Sequence, residues 1–362
     1  MPGAQPRVRR RIHTTLRLLT AVAIGLVGPM VDGEGTAAFD GRAIPADGAT
    51  PWSLTAGMAV LRARSAACSA RLGATLNRHP ELPGQIQDGE RSMFVSVLDS
   101  SWVPVEGLVP GDFVIEEDGT EREVLRVEQA TAPLQLAVLV DTSGSAAVAT
   151  QNVRNGLEAF VSRLHEANEI ALVTFGGPPR ILVESTGRLD RLRDGIGRIF
   201  AFSDSAAYLL DALVETARGF ERRGSPRPVI VVVTSEGIDY SNSSSEQVLD
   251  ALQAGQVATH VIVLKDGTRR GDRISGMDLA DRTMQRDLAL EQGPQTTGGQ
   301  RRDLLSSSAI SDVLGQLAVI LTSQYVVVYS RPASLIPPEA IRVRMRRDNL
   351  TAQGTPTKRT GE

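Results

Sequence analysis

From residue 134 onward, short apolar runs alternate with stretches whose apolar residues recur at helical spacing. No other feature restricts the fold as much. Leu136–Val140 is a continuous apolar run, as a strand covered on both faces requires. Val153, Leu157, Phe160, Val161 and Leu164 then mark one face of a helix. Ile170–Phe175 reads as the next strand, and Leu209, Leu210, Leu213 and Ala217 as a further helix. Val229–Val233 is the most apolar strand, Val248–Leu252 suggests a helix and Val257–Leu264 a strand. Ile310, Val313, Leu314, Leu317 and Leu321 form a clean helical stripe, and Tyr325–Tyr329 closes the series. The alternation implies an α/β fold with a doubly wound, mostly parallel sheet covered by helices on both faces, over residues 134–330.

The segments before it differ. Residues 1–33 read as an export signal, with Arg7, Arg9, Arg10, Arg11 and Arg17 ahead of a mostly apolar run from Leu18 to Val31. That run is too short for an ordinary spanning helix; an uncleaved membrane anchor is the alternative. Cleavage would move the net charge from -3 to -7, an acidic protein secreted or held in the periplasm of a bacterium. Residues 34–88, rich in Ala, Gly and Pro, read as a linker with some helical content. Over 89–133 the chain reads as a small antiparallel β unit, in which Phe113–Ile115 and Val124–Val127 flank the hairpin signal Asp118-Gly119. That unit is too short to close on itself and is expected to borrow a strand or pack on its neighbour. Residues 331–362 read as one strand, Ile341–Met345, and a disordered end.

Composition removes several functions. No basic block follows the N-terminus, so nucleic-acid binding through a charged face is not expected. The single cysteine, Cys68, can form no internal disulfide. Neither a Gly-x-Ser-x-Gly elbow nor a Gly-x-x-x-x-Gly-Lys phosphate loop occurs. The four histidines, His13, His79, His165 and His260, show no metal-ligand spacing.

In a sheet of this kind ligands bind at the carboxyl ends of the strands. The loop after Val140 reads Asp141-Thr142-Ser143-Gly144-Ser145, a carboxylate and two hydroxyls at alternate positions that can converge on one hard cation. Asp141-x-Ser143-x-Ser145 after an apolar strand resembles the first part of the metal-ion-dependent adhesion site of von Willebrand factor A domains. Phe113-Val114-Ile115-Glu116-Glu117-Asp118-Gly119 and Gln324-Tyr325-Val326-Val327-Val328-Tyr329 also resemble segments of bacterial exported proteins carrying such a domain, so the likeness spans about residues 91–350. The resemblance implies a Rossmann-like sheet, bound Mg²⁺ or Mn²⁺, and a protein partner that offers an acidic side chain to the metal.

The rest of the implied site departs from the family. Asp211-Ala212-Leu213 is present, but the family's threonine before it is Ala207, with Ser203, Asp204 and Ser205 close by. The family's aspartate after the central strand is replaced in Thr234-Ser235-Glu236-Gly237 by Glu236, one methylene longer. The implied metal residues are therefore Asp141, Ser143, Ser145 and Glu236, the last directly or through water, with Ser205 and Ser235 as additional oxygens. Three functions stay open. The first is an exported protein-binding module using this adhesion site. The second is a metal-independent interaction scaffold in which Asp141 and the serines merely cap the following helix. The third, a metal-dependent phosphohydrolase, lacks a base paired with a nucleophile, and Ser143 stands where a haloacid-dehalogenase-like site would want a second aspartate. Non-enzymatic binding is the expectation.

Overall fold

The computed structural model describes residues 89–265, 277–332, 336, 338 and 340–357. The expected export segment, the linker and Cys68 lie outside them. Among the described residues no helix is long and apolar enough to cross a membrane.

The α/β part is a six-stranded sheet. Its strands are β5 (Gln135–Val140), β6 (Glu169–Thr174), β7 (Arg180–Thr186), β8 (Pro228–Ser235), β9 (Ala258–Leu264) and β10 (Arg301–Leu304), in the order β10-β9-β8-β5-β6-β7. All pairings are parallel except that of β6 with the edge strand β7. Six helices cover it: α1 (Thr150–Leu164), α2 (Leu189–Gly197), α3 (Leu209–Arg223), α4 (Ser245–Gly255), α5 (Met277–Thr297) and α6 (Ile310–Thr322).

Successive residues of a strand point to opposite faces, and β5 and β8 show why their runs must be wholly apolar. Leu136, Val138, Val140, Val229, Val231 and Val233 pack with α1, α2 and α6. The residues between them, Ala137, Leu139, Ile230 and Val232, pack with α3, α4 and α5. The chain leaves β5 toward β6 on one side and β8 toward β9 on the other. The carboxyl ends of β5 and β8 therefore form a switch point, where the loops separate and a crevice opens.

The remaining strands form an antiparallel body. β1 (Glu90–Leu98), β4 (Val124–Gln129), β11 (Tyr325–Ser330) and β13 (Thr351–Pro356) make a sheet in the order β13-β1-β11-β4. β2 (Phe113–Glu117), β3 (Thr120–Arg122) and β12 (Ile341–Met345) make a second, in the order β12-β2-β3. Met93, Val95, Phe113, Ile115, Tyr325, Val327 and Tyr329 fill the space they share.

Three expectations change here. Tyr325–Tyr329 lies in the antiparallel body, between β1 and β4, not in the parallel sheet. A run buried on both faces fits a central strand of either sheet, so its composition could not choose. Val124–Val127 pairs with β11; the partner of β2 across the Asp118-Gly119 turn is β3, with both turn residues at positive φ (48° and 79°). The end expected to be disordered contains β13, whose polar sequence is held by pairing from Leu98↔Thr351 to Met93↔Pro356. The β body thus draws strands from both sides of the α/β part, and a boundary at residue 330 cuts through it.

His260 sits on β9, facing α6 across Gln300, Arg302 and Leu317. Neither ring nitrogen has a hydrogen-bond partner, and burial pushes its pKa down from 6.5 to about 4. The folded state therefore holds the neutral imidazole, while the unfolded chain takes up a proton below pH 6.5. The contribution is intact above that pH and is lost as pH falls toward 4. Between pH 7.5 and 5 this residue is expected to remove about 2 kcal/mol of stability. Urea midpoints at the two pH values check it: His260→Leu should show a clearly smaller fall than the wild type.

Candidate functional site

The loop after β5 is tied down through its backbone. Asp141 N–H donates to Val233 O at 3.0 Å, continuing the ladder between β5 and β8 by one residue. The carboxylate turns back into the protein and is 5% exposed. Its Oδ1 accepts Ser143 N–H (2.9 Å), and its Oδ2 accepts the Thr234 hydroxyl (2.9 Å) and Ser235 N–H (3.2 Å). These bonds fix the carboxylate inside the fold. They also join the ends of β5 and β8 across the switch point.

The two neighbouring loops approach backbone to backbone. Gly144 N–H donates to Ser205 O (3.1 Å) and Phe202 N–H to Thr142 O (3.1 Å). Thr142 Oγ1 accepts Gly176 N–H at 3.0 Å. Only glycine fits at 144 and 176, since a Cβ at Gly144 would lie 2.4 Å from Ser203 O and one at Gly176 2.2 Å from Thr142 C.

The structure brings Ser143 and Ser145 together, with their hydroxyls 2.8 Å apart. Neither the segment after Ser143 nor α1 has a side-chain cap bond at its start, so the serines are not serving as helix caps. Ser205 is close, but its hydroxyl donates to the Phe202 and Thr142 carbonyls at 2.8 and 3.2 Å. Ala207, buried, offers only backbone, bridging Gly176 on one side and Asp239 on the other. Ser235 is present through its N–H to Asp141. Glu236 forms an ion pair: its carboxylate meets Lys265 Nζ at 2.8 Å, and the same ammonium reaches Asp303 at 3.5 Å. The ion pair with Lys265, just past the end of β9, occupies that carboxylate.

Three residues join the cluster that sequence reading did not single out. Thr234 bridges Asp141 to the interior. Asp239, 2% exposed, accepts Leu209 N–H (2.7 Å) and so caps α3, while also accepting Ser241 N–H (2.9 Å). Burial raises its pKa above the ordinary carboxylate value. Arg286 enters from α5, 2% exposed, and its Nη2 donates to Thr234 Oγ1 (3.1 Å) and Ser235 O (2.6 Å). A signal for it existed: Arg286 shares the buried stripe of α5 with Ala289, Leu290 and Gly293, and a charge on such a stripe needs a partner.

These residues do not fit a resident divalent cation. Octahedral Mg²⁺ wants hard oxygens free to turn toward it. Asp141 accepts one hydrogen bond at Oδ1 and two at Oδ2, Asp239 is taken up by Leu209 and Ser241 N–H, Ala207 offers no side-chain oxygen, Glu236 is engaged by Lys265, and a guanidinium stands behind Thr234. Among the described residues no group of three or more His, Cys, Asp or Glu gathers as a metal site elsewhere.

No curated protein matches the chain. It is similar in fold to a von Willebrand factor type A protein from Catenulispora acidiphila (10% identity, 75% of this chain and 74% of that one, TM-score 0.40). It is also similar to a conserved hypothetical protein, BatB, from Bacteroides thetaiotaomicron (13%, 52% and 100%, 0.37). A third similar structure is proximal thread matrix protein 1 of the mussel byssus, described with a zinc-occupied MIDAS motif (15%, 56% and 48%, 0.39). Residues 136–238 match the family model for the von Willebrand factor type A domain. Residues 136–238, from β5 and the Asp141 loop through β8, thus carry a von Willebrand factor type A domain.

Proposed function

We propose that the protein is an exported protein-binding module that engages its partner through the loops at the carboxyl edge of the parallel sheet, without a resident metal. The observation that carries this reading is the rim around Ser143 and Ser145. Val148, Phe200, Phe202 and Tyr240 expose 86%, 56%, 64% and 41% of their surface. Their loops are fixed by the backbone bonds from Phe202 to Thr142 and from Tyr240 to Ala207. Large apolar side chains held in water on rigid loops make a surface that gains by being covered. The Arg154 guanidinium stacks 4.1 Å from the Phe200 ring, and the partly exposed Ser145 hydroxyl adds a polar group, which suits a partner bearing an acidic side chain. Export rests on the character of residues 1–33.

The metal-bridged adhesion reading keeps one supporting observation, the 2.8 Å approach of the two serine hydroxyls, close to the edge of a Mg²⁺ coordination shell. It lacks the carboxylates that would hold the ion.

A photo-crosslinking residue at position 202, compared with one at Arg222 on the far end of α3, tests the binding face in the cells that make the protein. Discrete adducts from position 202 and none from 222, lost when Phe200 is changed to Ser, are expected. Equal labelling from both positions, or adducts from 222 alone, would overturn it.

A further inference from the structure

We propose that Arg286 is the built-in cation of this site, a guanidinium that takes over from inside the protein the charge-neutralising work a divalent ion would do from outside. This deepens the metal-free binding reading and rests on it for the site's place, but its test needs no partner.

Asp141 is a buried anion, and a buried anion without an opposite charge carries a large desolvation cost. Arg227 and Arg331 are also buried cations, but they are committed elsewhere: Arg227 to Ala132, Leu321 and Gln324, Arg331 to Glu117. Arg286 stands one hydroxyl away. Its Nη2 donates to Thr234 Oγ1, and that hydroxyl donates its own proton to Asp141 Oδ2. The chain of donors runs from cation to anion, so each bond polarises the next. The same nitrogen donates to Ser235 O, fixing the backbone whose N–H also reaches Asp141. Burial weighs most against the charged guanidinium, with Arg301 adding to it; the fields of Asp287, Asp141 and Asp239, in that order, oppose it. Asp287, exposed to water, pairs directly with Nη1 at 3.5 Å, whereas the buried Asp141 is reached from Nη2 through Thr234. One residue of α5 thereby locks the ends of β5 and β8 in the geometry that presents Ser143 and Ser145.

A role in packing alone would make Arg286 and Asp141 independent. Thermal unfolding of the purified full chain separates the cases. Arg286→Gln and Asp141→Asn are each expected to lower Tm by several degrees, because each strands the other's charge. The double variant should be no less stable than the worse single one, and excess Mg²⁺ or EDTA should move the wild-type Tm by less than about one degree. Additive losses would overturn the proposal. If the variants do not fold, Mn²⁺ titration of the wild type followed by electron paramagnetic resonance decides. An unchanged free-ion signal supports a built-in cation; stoichiometric loss of the signal overturns it.

Discussion

Gly176→Ala is expected to destabilise the fold by about 3 kcal/mol or more and to abolish crosslinking from the binding face. The added methyl would meet Thr142 C at 2.2 Å, Thr142 O at 2.4 Å and Ser143 N at 2.5 Å. All three are backbone atoms of the loop that carries Asp141, so no side-chain rotation relieves the collision. The loop must move away from β6, and with it go the bond from Gly176 N–H to Thr142 Oγ1 and the placement of Ser143. Gly197→Ala is the control: nothing lies within 4 Å of its added methyl, it closes α2, and its stability should be unchanged or slightly raised. Urea unfolding of the two variants beside the wild type checks both.

Arg227→Met is expected to cost a similar amount, about 3–5 kcal/mol, through a different mechanism. The guanidinium is 4% exposed and donates to Ala132 O (2.7 Å), Leu321 O (2.9 Å) and Gln324 Oε1 (2.7 Å). It also lies 4.8 Å over the Phe94 ring of β1. Burial lowers its pKa to about 10, so it remains charged at neutral pH. It stands where the chain enters β8 and where α6 gives way to β11, and so joins the parallel sheet to the antiparallel body. Methionine matches the volume but leaves two buried acceptors and one partly buried acceptor unpaired. A lower urea midpoint is the expected result; a change below 1 kcal/mol would mean that water replaces the lost donors.

Local patterning carried much of this structure. The runs at 136–140 and 229–233 had to be buried on both faces, and β5 and β8 are. Their order in the chain then placed Asp141 at the switch point. What patterning could not carry was pairing between distant segments. β11 and β13 find their neighbours more than 200 residues away in β1, and nothing in Tyr325–Ser330 names the sheet it joins. The site divides in the same way. The Asp141 loop was readable because its residues are adjacent, whereas Ala207 was picked out by its place before Asp211, and in the structure it contributes backbone bridges to Gly176 and Asp239. Glu236 was read by position as a ligand, yet it faces Lys265, a residue from the end of the next strand. Arg286, supplied by a helix 145 residues after Asp141, could only be inferred as a charge on an apolar stripe, with no indication of which anion it would meet.

The most direct test of a metal-free loop edge is anomalous diffraction at the manganese edge from crystals grown in excess Mn²⁺. The account predicts no anomalous peak among Asp141, Ser143 and Ser145, with Arg286 still bonded to Thr234. A peak bridging the two serine hydroxyls, with Glu236 turned from Lys265 toward it, would contradict the account.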